Sequence, residues 1–134
     1  METESFTLPE LSKAFEVRYR TLQSWVERGL LEPGVSRSTG TGTPNRFSRQ
    51  DAVMVCILSD LRDAGVKFEL LTQAAERLRK TDSALEEEAF MLVNGDVRIV
   101  FDSEDSASAL ERGGLTLAYN TGTALERCAV LKAA

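Results

Sequence analysis

Three apolar stripes of helical period follow one another within residues 6–68, and their order leaves few folds open. Leu8, Leu11, Ala14 and Phe15 share one face of a first short helix. After a turn at Glu16-Val17, a second helix turns Leu22, Trp25 and Val26 inward. Met54, Ile57, Leu58 and Leu61 then fall at i, i+3, i+4 and i+7, a third core stripe. Two short helices so close in sequence sit side by side, and the third closes over them.

The punctuation agrees with that reading. Thr7 followed by Glu10 forms a capping box, with Phe6 placed to staple onto the helix it precedes. Gly29 ends the second helix and Gly65 the third, while Ser48 and Asp51 cap the third at its start. Residues 33–44 (PGVSRSTGTGTP) are almost free of apolar side chains and read as a loop. Asn45-Arg46-Phe47 brings back an arginine and a core-type aromatic at the end of that loop. A basic hairpin pinned by an aromatic between two helices is the make-up of a wing.

Charge separates the two halves of the chain. The net charge is −5, yet residues 18–49 hold six arginines against two glutamates. A localised basic stretch can contact phosphates while an acidic remainder faces away from the polyanion. On the outer face of the second helix lie Arg18, Arg20, Thr21, Gln23, Ser24 and Arg28, all able to hydrogen-bond base edges or phosphates. Arg37 and Arg46 occupy the loop. These eight residues are the candidate DNA contacts, although an ordinary solvated polar face would look similar.

Beyond residue 68, Leu70, Leu71, Ala74, Ala75 and Leu78 form an apolar seam on a helix whose periodicity fades near residue 81. Residues 89–93 and 96–101 read as strands joined by a two-residue type I′ turn at Asn94-Gly95. A short helix over 106–112, a third strand over 115–119 and a tail at 124–131, helix or strand, follow. The expected class is α+β: a winged helix-turn-helix over 1–68, a connecting and dimerising helix over 69–88, and a small hairpin-containing module over 89–134.

The segments TLPELSKAFEV, RTLQSW-ERGLLEP, NRFS-QDAV and LRDAGVKFELL resemble the N-terminal winged-helix domain of MerR-family transcription regulators. The resemblance covers about the first 75 residues. It implies a bacterial-type regulator acting on double-stranded DNA as a homodimer, with the second helix in the major groove and the wing on backbone or minor groove. Arg18, Arg20 and Thr21 fall at the start of the recognition helix. Gln23 stands where the family usually carries an arginine, and Ser24 where it often carries a tyrosine. Trp25 matches an aromatic core position, and Arg46 the basic wing position before the aromatic. Leu70, Leu71, Ala74 and Leu78 lie where the family begins its dimer helix, and RNA polymerase or another regulatory protein would be a further partner.

Other classes are excluded or kept as alternatives. Histidine is absent, and no nucleophile elbow, phosphate-binding glycine loop or dinucleotide fingerprint occurs, so no catalytic residues and no cofactor are expected. Cys56 and Cys128 lie far apart in sequence, with Cys56 read as a small core residue and Cys128 as standing alone, which speaks against a metal or redox sensor. The acidic residues Glu86, Glu87, Glu88, Asp102, Glu104 and Asp105 lack the loop spacing of a calcium site. No apolar run reaches the roughly 18 residues of a membrane span, and the acidic N-terminus is unlike a signal peptide, so a cytoplasmic, nucleoid-associated protein is expected. An excisionase-like architectural factor and a winged-helix protein-interaction module remain the alternatives. The separate C-terminal module favours the regulator.

Overall fold

In the computed structural model the described residues are 4–35, 45–81, 83–101 and 116–131. They form α1 (Leu8–Phe15), α2 (Tyr19–Glu27), α3 (Arg49–Asp63), α4 (Phe68–Lys80), β1 (Phe90–Val93), β2 (Val97–Val100), β3 (Leu117–Asn120) and α5 (Gly122–Ala129). This is an α+β fold, as expected. The expected helix at 106–112 lies outside the described residues.

The helix ends follow from local chemistry. Glu10 accepts hydrogen bonds from the Thr7 backbone N–H (3.0 Å) and the Thr7 hydroxyl (2.9 Å) at the start of α1. Ser48 and Asp51 cap α3 reciprocally: the Asp51 N–H donates to Ser48 Oγ (3.1 Å) and the Ser48 N–H to Asp51 Oδ2 (2.7 Å). Gly29 and Gly65 both adopt positive φ, 77° and 95°, just past their helices. At each, two N–H groups reach back in a Schellman pattern: Leu30 to the Trp25 carbonyl and Gly29 to that of Val26, then Val66 to Leu61 and Gly65 to Arg62.

The core is one cluster running from Phe6 to Cys128, so the stretches 1–68, 69–88 and 89–134 share it. Helix α3 is its axis. The sequence shows a single stripe on α3, but every residue from Ala52 to Ser59 is buried, because α1, α4 and α5 pack on different sides of it. One expected core position fails: Ala14 is exposed, since α1 meets its neighbours through Leu8, Leu11 and Phe15 alone.

The seam of α4 is occupied within the chain itself. Leu71, Ala74, Ala75 and Leu78 are buried against α3 and β2, and Leu70 is half-buried beside them. Leu71, Ala74 and Leu78 are therefore not open to a second copy, contrary to the dimer seam expected from the sequence. The helix also stops at Lys80, before the expected limit of 88. A three-stranded sheet in the place of a longer helix supplies, through β2, part of the cover for α4.

That sheet has the order β2-β1-β3, antiparallel throughout, with Met91 opposite Ile99 on one side and Tyr119 on the other. Met91, Val93 and Val97 turn inward to the core. The hairpin departs from expectation in its turn. Val93 pairs with Val97, leaving three residues between the strands, and among them only Gly95 has positive φ (76°). Type I′ needs positive φ at both central residues, so that turn is not formed. The tail left open between helix and strand is helix α5, entered through buried Thr121, whose Oγ accepts the Ala89 N–H at 2.8 Å.

A polar clip fastens this C-terminal unit to α3. The Tyr119 hydroxyl donates to Asp60 Oδ2 at 2.6 Å, and Arg127 of α5 lies 3.8 Å from Asp60 Oδ1. Burial, reinforced by that hydrogen bond, pushes the Tyr119 phenol well above its ordinary value of 10.0. The folded chain therefore keeps the Tyr119 proton where the unfolded chain releases it, so stability falls as pH rises above 10.0. Tyr119→Phe is expected to cost ~1–2 kcal/mol at neutral pH and to flatten the alkaline limb of the stability profile. Urea titrations of both proteins from neutral to strongly alkaline pH measure this, and parallel profiles would remove Tyr119 from the clip.

Candidate nucleic-acid interface

Helix α2 has one face fixed and one face open. Leu22 and Trp25 are buried, 0% and 3% exposed, which sets the rotation of the helix against α1 and the core. That rotation turns Arg18, Arg20, Gln23 and Arg28 outward as exposed residues, while Thr21 and Ser24 are half-buried at the margin. The first turn contains no acidic residue, and Arg18, its N-cap, makes no side-chain cap bond. The positive end of the helix dipole therefore points outward beside Arg18 and Arg20, a setting that favours a phosphate.

Not every expected contact residue stands on that face in the same way. The Arg28 guanidinium stacks on the Phe68 ring, 4.2 Å from its centroid, which keys the end of α2 to the start of α4. Arg79 of α4 reinforces the joint by donating to the Gly29 (3.2 Å) and Leu30 carbonyls. Thr21 Oγ lies 3.5 Å from an Arg62 nitrogen. Arg37 lies outside the described residues.

The two legs of the 33–47 loop are drawn together at its base. Phe6 and Phe47 are fully buried and exchange two backbone hydrogen bonds of 2.8 Å, so the strand-like end of the loop is fastened to the residue preceding α1. Across the base, the Val35 N–H donates to the Arg46 carbonyl at 3.1 Å. Asp51 Oδ2, already capping α3, also accepts the Gly34 N–H at 2.8 Å. One carboxylate thus anchors the loop entry and the helix that follows its exit. Arg46, half-buried, sits at this base next to Phe47.

Sequence reasoning missed Tyr19 and Arg62. Tyr19 is 46% exposed at the first position of α2, between Arg18 and Arg20. Periodicity places it three residues before Leu22, on the inner stripe, but at the helix start the core has already ended. Arg62 comes from the far end of α3, and only the fold brings it to Thr21. Arg49 goes the other way. It belongs to the basic stretch, yet its guanidinium bonds Glu4, the Cys128 carbonyl and the Leu131 carbonyl (2.8 Å), so its charge serves the junction with α5.

No helix among the described residues is long and apolar enough to cross a membrane. No curated protein matches the chain. Residues 6–78 match the family described as MerR HTH family regulatory protein, more than half of the chain and all of α1 to α3. With a helix-turn-helix whose outer face is basic and whose following loop is closed at its base, the chain belongs to the MerR family of helix-turn-helix, DNA-binding transcription regulators.

Proposed function

We propose that this regulator reads a specific double-stranded DNA sequence as a homodimer, with α2 in the major groove and the 33–47 loop against the backbone or minor groove. The outward face of α2 carries the reading: Arg18, Arg20 and Gln23 stand exposed while Leu22 and Trp25 fix the opposite side. Arginine at the helix front suits guanine edges and phosphates, and Gln23 suits adenine. Tyr19 adds an apolar contact for a thymine methyl or a sugar, and Arg62 a backbone contact behind Thr21. Arg46, and Arg37 further along the loop, supply the wing contacts.

One recognition helix covers only a few base pairs, so specificity calls for two, set about one DNA turn (~34 Å) apart. Because the chain itself covers Leu71, Ala74 and Leu78, the dimer surface comes from other positions; Phe101 (44% exposed) and Val130 (77%) are large apolar side chains that stand out of the C-terminal unit. RNA polymerase or a second regulator is the expected further partner. A genome-wide footprint should return palindromic sites with half-sites one turn apart, and sedimentation of the full chain at micromolar concentration should give a dimer. Sites without two-fold symmetry, together with a monomer in sedimentation, would sink the homodimer.

A further inference from the structure

The capping carboxylate of α3 carries one bond more than a helix start requires. A capping box asks the third helical side chain to accept only the N–H of the cap residue. Asp51 does this for Ser48 at 2.7 Å, and through the same oxygen, Oδ2, it also accepts the Gly34 N–H at 2.8 Å. Gly34 lies at the entry of the 33–47 loop and Ser48 just past its exit, so a single oxygen holds both legs. The frame it ties them to is firm, because α3 is buried at every residue from Ala52 to Ser59.

Close approach explains the glycine at position 34. A Cβ there would stand 2.6 Å from Asp51 Oδ2, 3.2 Å from Ser48 Oγ and 3.3 Å from Asp51 Cγ. Those atoms are the cap itself, and the Ser48 N–H holds the carboxylate in place, so it cannot swing aside without opening the helix start. From Gly34 the hold passes along the chain. The next residue, Val35, donates its N–H to the Arg46 carbonyl at 3.1 Å, and the residue after Arg46, Phe47, is fully buried against Phe6. Arg46 is thus bracketed from both legs of the loop.

We propose that Asp51 is a positioning residue for DNA binding, and that Gly34 is the close approach through which it acts. Asp51 sets the path on which the loop leaves and rejoins α3, and through Gly34 and Val35 it sets the place of Arg46 against a phosphate. The proposal rests on the reading of the 33–47 loop as a wing. Its sign is distinctive. An anion near a polyanion repels it, so by charge alone the removal of Asp51 should tighten binding. Loss of the anchor does the opposite: the entry leg is left with the Val35 bond, and the loop must be ordered at the moment of binding, at a cost in conformational entropy.

Full-length Asp51→Ala, Gly34→Ala, Ser48→Ala and Arg46→Ala are compared with the parent in salt-titrated mobility shifts, on the cognate and a scrambled duplex, at a temperature where melting curves show all five folded. Asp51→Ala and Gly34→Ala should each weaken binding about tenfold at roughly 0.1 M salt on both duplexes and shrink the salt slope by about one, as the loss of one phosphate contact does. Arg46→Ala should match them, and adding Gly34→Ala to it should change nothing more. Ser48→Ala removes one acceptor of the same cap but keeps both bonds to Asp51 Oδ2, so it should melt lower and bind like the parent. A parent-like slope for Asp51→Ala or Gly34→Ala, beside a reduced slope for Arg46→Ala, would overturn the proposal and leave the wing reading standing. A slope lost equally in Ser48→Ala would overturn it too, because helix capping alone would then account for the effect. An Arg46→Ala protein with the parent's slope counts against the wing reading itself, and the proposal falls with it.

Discussion

Trp25→Ala is expected to lower the unfolding free energy by ~3–5 kcal/mol, the usual effect of removing a buried tryptophan. Trp25 is 3% exposed and belongs to the single cluster that also holds α1, α3, α4 and the sheet. A domain of this size has only about 5–15 kcal/mol in total, so much of the folded population disappears at physiological temperature. The loss should be visible as a lower melting temperature and poor solubility before any effect on DNA can be read. Tyr19→Ala is the natural control: at 46% exposure at the start of the same helix, it should melt close to the parent. A Trp25→Ala protein that melts like the parent and merely fails to bind DNA would mean that the ring faces outward.

Arg20→Ala should reduce affinity for the true site by about 10- to 100-fold, corresponding to roughly 1–3 kcal/mol for a base-reading arginine, and relax preference at one position. Gln23→Ala should act in the same way at a neighbouring base pair. Arg46→Ala has a different signature. A phosphate contact carries no sequence information, so binding should weaken alike on all sequences, and the slope of log affinity against log salt should shrink by about one. Salt-titrated mobility shifts with the cognate and a scrambled duplex separate the two patterns. Unchanged binding by all three variants would remove α2 and the loop from the interface.

The N-terminal half was legible because its signals are local. A capping box needs two residues three apart, as at Thr7–Glu10 and Ser48–Asp51, and both formed. A Schellman end needs one glycine, as at Gly29 and Gly65, and both formed. The stripes of α1 to α3 repeat within a few turns, so the helices and the burial of Trp25 could be read with only Ala14 misplaced. The hairpin strands were likewise legible from their apolar runs. Their turn was not, because Asn-Gly is compatible with more than one loop length and the register is set by the whole sheet, where β3 pairs with the far side of β1.

The candidate site divides along the same line. That Arg18, Arg20 and Gln23 face outward follows from α2's own periodicity, since the face opposite Leu22 and Trp25 has nowhere else to point. Periodicity cannot say what covers an apolar stripe. The α4 seam reads equally well as a dimer surface or as a core face, and β2 and α3 took it for the core. It also cannot say where a long side chain ends. Arg28 went to Phe68, Arg49 to the end of α5, and Arg62 to Thr21. The sequence by itself determined the helices, their ends and the basic outer face, because each depends on residues within one or two turns. Only the tertiary structure decided the partner of α4, the Tyr119–Asp60 clip and the seating of α5 on α3, because those depend on which buried faces share one core, and side chains dozens of residues apart leave no periodic trace of one another.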